Sequence, residues 1–206
     1  MTPDIDLLNQ WRDGDNEAGE VLFKRHFDSI YRFFANKVQG DIDELVQTTF
    51  LNCMRARQQF RAQSSFRTYL FTIARNELYR YLRRRQRDDA RLDFSVTSLA
   101  DLAVTPRTRI AGDEERQQLL RALRQLPVEQ QVLLELHYWE EMTPIELAEV
   151  FDVAQATART RLFRARAALR EEMERLVDAP ALSYQSVENL DAWAGQLRAK
   201  WQAKNK

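Results

Sequence analysis

The sequence predicts an all-α protein: two helical domains joined by a flexible linker, with a short helical tail. Three observations carry that prediction. Only five Gly and five Pro occur in 206 residues, while Leu, Ala, Arg and Glu, all good helix formers, are abundant. Apolar residues recur every three to four positions through most of the chain. That periodicity lapses over 92–112, which contains Pro106, and again over 178–183, which contains Pro180. The lapses divide the chain into a first domain 1–90, a linker 91–112, a second domain 113–177 and an extension 178–206.

The elements follow in order. Over 17–38, Val21, Leu22, Phe23, Phe27, Ile30, Tyr31, Phe34 and Val38 fall at helical spacing. Gly40 separates this helix from a second, for which Asp41 is an N-cap residue type. Ile42, Leu45, Val46, Thr49, Phe50, Cys53 and Met54 then form one apolar stripe. A polar loop, 61–65, leads to a third helix over 66–87, with Phe66, Leu70, Ile73, Ala74, Leu78, Tyr81 and Leu82 on one side. Helices resume at 113 and continue to 177, punctuated by Pro127 and Pro144. In the tail, 187–203 places Leu190, Trp193, Leu197 and Trp201 on one helical face.

Composition excludes several classes. The 31 basic and 31 acidic residues cancel, so a uniformly basic or acidic protein is ruled out. The zero is a sum of opposites: residues 1–20 hold six acids against Arg12, while 66–91 hold eight Arg and 155–170 five Arg with no acid. Arg presents a planar donor fork suited to phosphates and guanine edges, which points to an anionic polymer. One cysteine, Cys53, excludes a disulfide framework or a Cys-built metal site. Neither a signal peptide nor a membrane-inserted segment is expected, so the chain is read as cytoplasmic. His26 and His137 belong to no metal or catalytic motif, and no glycine-rich phosphate loop or nucleophile elbow occurs. A calcium loop at 13–24 fails because Ala18 and Lys24 stand where Gly and Glu are required. No enzyme activity and no cofactor are expected.

Three surfaces carry chemistry. In 142–170, Thr143, Pro144 and Glu146 form a helix start with capping-box spacing. A three-residue turn at Asp152 separates that helix from a second, whose Ala158, Leu162, Ala165 and Leu169 face inward, giving a helix-turn-helix. Thr157, Thr160, Phe163 and Arg164 point away from that stripe, flanked by Arg159 and Arg161, as on a helix that enters a major groove. On the third helix, Thr68, Thr72, Asn76, Tyr79 and Arg83 share the outward side, with Arg75, Arg80 and Arg87 at its edges. This mix of donors, an exposed aromatic and Arg suits unpaired bases. On the second helix, Asp41, Glu44 and Thr48 share an outward stripe, with Asp43 at its flank and Leu51 exposed nearby. That patch suits a protein partner with a basic surface.

These segments resemble the sigma-70 family of RNA polymerase sigma factors, in its small extracytoplasmic-function (ECF) type, over about residues 10–176. "GDNEAGEVLFKRHFDSIYRFF" resembles the first conserved helix of that family's region 2. "DIDELVQTTFLNCMRARQQFR" resembles its polymerase-binding helix, and "SSFRTYLFTIARNELYRYLRRRQR" its −10 recognition segment. "LRQLPVEQQVLLELHYWEEMTPIELAEVFDVAQATARTRLFRARAALRE" resembles region 4, which binds the −35 element. The order and spacing of all four segments carry the resemblance.

The resemblance implies partners and roles. Asp41, Asp43, Glu44, Gln47 and Leu51 would dock on core RNA polymerase. Arg61, Ser64, Ser65, Asn76, Tyr79, Arg80, Arg83 and Arg84 would open and hold the −10 strand of promoter DNA. Thr157, Arg159, Thr160, Arg161, Phe163 and Arg164 would read the −35 duplex. An anti-sigma protein or a Ser/Thr kinase are the candidate regulators.

Several departures from the family pattern stand out. Thr48 occupies a position where the family usually has Glu, which makes it a candidate phosphorylation site that would add about −1.5 to −2 charges to the acidic patch. Asp152 stands where Gly is common and Ala158 where a larger apolar residue is common. The tail extends beyond the usual end of such chains, either completing the core of the second domain or acting as a control element. Two rival functions remain open at this point. One is a stand-alone helix-turn-helix regulator of duplex DNA; the other is a sigma-like adaptor that makes only protein contacts.

Overall fold

The acids Asp4 and Asp6 open a helix that the periodicity over 17–38 does not announce. The computed structural model describes residues 2–38, 40–59, 64–86, 92–102, 114–175 and 195. Its first element, α1 (Asp4–Arg12), carries those two acids in its first turn, where they favour the helix macrodipole, and buries Leu7, Leu8 and Trp11. Nine residues with three buried apolar positions are too short to stand out in the sequence.

Helix α2 (Asn16–Ala35) follows a sharp turn through Gly14, whose φ of 109° suits glycine. Asp15 caps it, Oδ1 accepting from the amides of Glu17 at 2.9 Å and Ala18 at 3.2 Å. Glycine is needed again at Gly19, where an added Cβ would stand 2.6 Å from the Trp11 indole nitrogen. Asp4 then ties α1 to α2, accepting from Arg25 and bonding the buried His26 at 2.7 Å. His26 is therefore a structural histidine.

The face of α2 differs in part from the expected one. Leu22, Ile30, Phe34 and Val38 are buried, but Val21, Phe27 and Tyr31 are exposed, and His26 and Phe33 fill the core instead. An apolar stripe this wide exceeds one helical face, and its surplus is left toward solvent.

Helix α3 (Ile42–Ala56) buries Leu45, Val46, Thr49, Phe50 and Cys53, with Ile42 and Met54 packed at the margin. Asp41 precedes it as expected, but with φ 54° and no side-chain capping bond, so it turns the chain without capping the helix. A short 3-10 turn, Arg57–Gln59, ends this stretch. Helix α4 (Phe66–Arg85) starts at Ser65, whose hydroxyl accepts from the Thr68 amide at 3.0 Å. Phe66, Phe71, Leu70, Ala74, Leu78 and Leu82 close the first bundle.

The second bundle contains α5 (Glu114–Gln125), α6 (Val128–Tyr138), α7 (Pro144–Phe151) and α8 (Gln155–Arg175). The expected capping box at Thr143 and Glu146 is complete: the Thr143 hydroxyl accepts from the Glu146 amide, and the Glu146 carboxylate from the Thr143 amide. Asp152 adopts φ 52° at the α7–α8 turn, a left-handed conformation that asparagine and aspartate tolerate better than bulkier residues. Leu119, Leu123, Val132, Leu136, Leu147, Ala158, Leu162, Ala165, Leu169 and Met173 fill the core.

Residues 92–102, expected as part of the linker, are packed. Pro127 cannot cap α6 with its side chain, and the first free amides of that helix are satisfied by this segment instead. Val128 N–H donates to the Thr97 carbonyl at 2.9 Å, and Glu129 N–H to the Phe94 carbonyl at 3.0 Å. Phe94 and Leu99 are buried as a result.

The two bundles lie against one another, α4 against α7. Lys37 reaches from the end of α2 to Glu135 of α6, and both are buried. Arg67 faces Glu146 at 3.6 Å and Arg32 faces Glu140 at 3.8 Å across the same junction. No strand occurs among the described residues, and no described helix is long and apolar enough to cross a membrane.

Candidate nucleic-acid and protein-docking surfaces

The helix-turn-helix places its second helix with one buried and one free face. Ala158, Leu162, Ala165 and Leu169 point into the core, which turns Thr157, Arg159, Thr160, Phe163 and Arg164 outward. Phe163 is 73% exposed, an unusual position for a phenylalanine unless a partner covers it. Its neighbours over 155–170 include arginines and threonines and no acidic residue, a surface that can pair with phosphates and contact base edges together. Arg161 differs from its neighbours: it is half-buried and paired with Glu129 of α6, so its guanidinium ties α8 to α6. Thr160 donates to the Ala156 carbonyl at 3.0 Å.

On α4 the expected outward face is only partly outward. Asn76 and Arg83 are exposed, as expected. Thr68 is buried, however, with its hydroxyl bonded to Ser65, and Thr72 donates to the Thr68 carbonyl at 2.9 Å. Tyr79, expected as an exposed aromatic, is half-buried because Phe94 stacks on it with ring centroids 4.4 Å apart. Burial, reinforced by Glu129 nearby, holds its phenol well above the ordinary range, and its hydroxyl lacks a partner among the described residues. Arg80 is exposed and paired at 2.6 Å with Glu77, a buried carboxylate that also accepts from Asn52 at 2.9 Å. Arg83 lies 5.1 Å over the Phe94 ring. Ser65 caps α4 and Ser64 is half-buried, whereas Arg61 and Arg87 fall outside the described residues.

Arg75, noted only at the edge of this face, is its most engaged residue. Its Nη2 donates to the Asn76 Oδ1 at 2.9 Å and its Nη1 donates to the carbonyl of Val150 at the end of α7. Its guanidinium also lies 5.3 Å from the Phe151 ring centroid. Nothing in the spacing of residues 66–87 could reveal a bond to a residue 75 positions away.

The third surface lies between α2 and α3. Asp41, Asp43, Glu44 and Gln47 are exposed, while Leu51, expected as exposed, is half-buried. Leu51 lines a groove of about 410 Å³ together with Phe23, Phe27, Val46, Phe50 and Met54, rimmed by Asp43, Gln47 and the paired Glu20 and Lys24. The groove accounts for Phe27 among the surplus apolar residues of α2 and could receive an amphipathic partner with a basic rim.

Thr48 opens into a separate cleft of about 210 Å³, walled by Asp41, Glu44, Tyr81, Arg84 and Arg85. Arg85 donates to the Tyr81 hydroxyl at 3.0 Å. Cys53 is buried, and burial pushes its thiol up to about 12. His137 bonds the Met142 carbonyl and Arg166, each at 2.9 Å, so it braces α6 against α8. Among the described residues, no group of three His, Cys, Asp or Glu could hold a metal ion. Leu190, Trp193, Leu197 and Trp201 of the tail fall outside the described residues.

The family model described as sigma-70 region 2 matches residues 22–88, and that described as sigma-70, region 4 matches residues 116–169. The chain is 26% identical over 181 residues to the ECF RNA polymerase sigma-E factor of Escherichia coli strain K12, covering 83% of this chain and 94% of that one. The protein of the same description from Haemophilus influenzae is 27% identical over 181 residues, covering 83% and 95%. Among solved structures, CnrH in complex with the cytosolic domain of CnrY shares the fold at a TM-score of 0.61 and 22% identity, covering 85% of this chain and 97% of that one. The sigma factor RpoE of Bartonella quintana, in complex with the anti-sigma factor NepR, does so at 0.58 and 21%, covering 75% and 96%.

Proposed function

Because the chain belongs to the sigma-70 family of RNA polymerase sigma factors, in its ECF group, we propose how its described surfaces divide the work of promoter-specific initiation. Such a chain is not itself an enzyme. Nucleotide transfer belongs to the polymerase, and this subunit supplies binding energy and sequence preference.

Residues 1–90 act as the polymerase-binding and −10 domain, 113–177 as the −35 domain, 91–112 as the connection and 178–206 as an extension. Asp41, Asp43, Glu44, Gln47 and Leu51 dock on core polymerase, with the neighbouring groove receiving apolar side chains of a basic partner surface. Asn76, Arg83 and Arg84, with Tyr79 once uncovered, hold the −10 strand, joined by Arg61, Ser64, Ser65 and Arg80 from the loop and the helix edge. Thr157, Arg159, Thr160, Phe163 and Arg164 read the −35 duplex, oriented by Arg161. The observation that carries this reading is the pairing in one chain of an acid-free helical face over 155–170 with an apolar groove beside the exposed Asp41, Asp43 and Glu44. A stand-alone DNA regulator needs only the first of these.

Run-off transcription with core polymerase tests the reading. A sigma factor initiates from a discrete promoter and gives little footprint without polymerase. A clear footprint by the free protein, with no specific transcript in the presence of core, would mark a duplex-binding regulator instead.

Three controls belong to the same proposal. Phosphorylation of Thr48 would place a dianion in the cleft that Arg84 and Arg85 share with Asp41 and Glu44. Equal core binding by Thr48→Glu and Thr48→Ala would remove that control. The extension 178–206 would modulate access to polymerase or promoter, and its deletion should change transcription without unfolding the protein. An anti-sigma protein is a further partner class, by analogy with the RpoE–NepR complex.

A further inference from the structure

The α2–α3 groove is lined by Phe23, Phe27 and Phe50, with Val46, Leu51 and Met54 completing its apolar wall. Phe23 and Phe50 pack with ring centroids 4.7 Å apart, and Phe27 stacks on Phe50 at 6.4 Å and on Tyr31 at 6.3 Å. Phe27 and Tyr31 are both exposed, so this aromatic row continues from the groove onto the outer face of α2. Rings presented in this way favour aromatic partners, which gain edge and face contacts beyond the area they bury. Beside the row stand the exposed carboxylates Asp41, Asp43 and Glu44. An occupant of this surface should therefore be aromatic, amphipathic and basic.

One stretch of the chain has all three properties. Leu190, Trp193, Leu197 and Trp201 share one helical stripe at spacings of three, four and four residues. That is the anchor pattern of a helix laid into an apolar groove. Gly195, whose backbone is helical, falls on the opposite side of the stripe. Arg198 and Lys200 border it, Lys204 and Lys206 follow, and 192–206 hold these four basic residues and no acid. Like charge sets such a segment against the Arg-rich faces of α4 and α8, whereas Asp41, Asp43 and Glu44 attract it. The connecting 14 residues, 176–189, can span up to about 50 Å. A folded chain of this length has a radius of gyration of about 17 Å, so the tail is not confined to the second bundle.

We propose that the stretch 187–203 is the groove's occupant in the free protein, Trp193 and Trp201 packing on the phenylalanine row and 198–206 lying beside the acidic patch. Tethering puts the tail at the groove at a local concentration on the order of millimolar, so a weak contact suffices to hold it. A partner that binds the same groove more tightly displaces it. The consequence for polymerase rests on the reading of this groove as the core-docking surface; the occupancy itself does not.

The experiment uses the full chain with Gln47, on the groove's rim, replaced by the photo-crosslinker benzoylphenylalanine. Irradiation at high dilution, followed by mass spectrometry, should give monomeric adducts joining residue 47 to 187–206. Trp193→Ala with Trp201→Ala should abolish the adduct and leave the urea midpoint unchanged. Lys200→Glu with Lys204→Glu should reduce it. Core polymerase affinity, measured with Gln47 intact, should rise about tenfold in the double Trp variant if the unaltered groove is free a tenth of the time. Absence of a tail adduct, an adduct found only in cross-linked dimers, or one that survives loss of both Trp would overturn the occupancy. If the tail instead completes the second bundle, residue 47 gives no tail adduct and the double Trp variant loses urea resistance. Loss of the adduct with no gain in core affinity would leave the occupancy standing and remove the groove as the polymerase surface.

Discussion

Tyr79 and Phe94 stack with ring centroids 4.4 Å apart and planes 28° from parallel, joining the first bundle to a segment anchored on the second. The stack buries the Tyr79 hydroxyl without a partner among the described residues, so the two rings make opposite predictions. Phe94→Ala removes an almost fully buried ring and should lower unfolding stability by about 3 kcal/mol. Tyr79→Phe keeps the stack and deletes an unsatisfied polar group, so stability should hold or rise by about 1 kcal/mol. Urea denaturation of both variants checks the pair, and a loss in Tyr79→Phe would mean that the hydroxyl finds a partner in solution.

Gly19 predicts a steric penalty inside a helix. Alanine normally stabilises a helix interior by roughly 0.5–1 kcal/mol over glycine. Here the new methyl would meet the Trp11 indole at 2.6–2.8 Å, and Trp11 is itself buried and packed edge-on against Phe23. Gly19→Ala should therefore destabilise by about 1–2 kcal/mol, overpacking exceeding propensity. An increase in the thermal midpoint would show that α1 can shift outward at little cost.

Cys53 predicts a stability slope at alkaline pH. Burial raises its thiol to about 12 in the folded protein, against about 8.5 for an unfolded thiol. The neutral thiol favours the folded state fully below pH ~8.5, and that contribution is lost as pH rises from there toward 12. Each unit in that window should remove up to about 1.4 kcal/mol. Tyr79, whose phenol is also raised by burial, adds loss of the same sign above about pH 10. Denaturation midpoints from about pH 8 to about pH 10 should fall for the unaltered chain and flatten for Cys53→Ala.

Phe163 and Arg164 predict a loss of promoter use without loss of fold. Both side chains are exposed on α8, so alanine at each should change stability by no more than about 0.5 kcal/mol. Losing a base-edge interaction typically costs about 1–3 kcal/mol, so run-off transcription should fall roughly tenfold or more. Core polymerase binding should be unchanged, since the α2–α3 groove is untouched. A proportional loss in core binding would place α8 at the polymerase rather than on DNA.

Most of the helices were legible because each buries one periodic face. The α3 stripe from Leu45 to Cys53, the inward residues of α8 and the Thr143–Glu146 capping box all depend on residues within a few positions of one another. The outward α8 face was legible for the same reason, as the complement of its buried stripe. Helix α1 escaped because nine residues carry too little pattern, and the α2 stripe misled at Val21, Phe27 and Tyr31 because it is wider than the one face a helix can bury, Phe27 lining a surface groove instead.

By itself, the sequence determined an all-helical chain, the helix-turn-helix and its arginine-threonine face, and the acidic residues before and on α3. These follow from local periodicity, capping and charge. Only the tertiary structure decided that Tyr79 is covered by Phe94, that Arg75 reaches Val150, that Arg161 is tied to Glu129, and that Lys37 finds Glu135 in the interior. Each of these pairs joins residues 15 to 98 positions apart. Their partners are set by how α8 packs on α6 for Arg161 and by how the two bundles dock for the rest, and a one-dimensional pattern of polar and apolar residues carries no record of that packing.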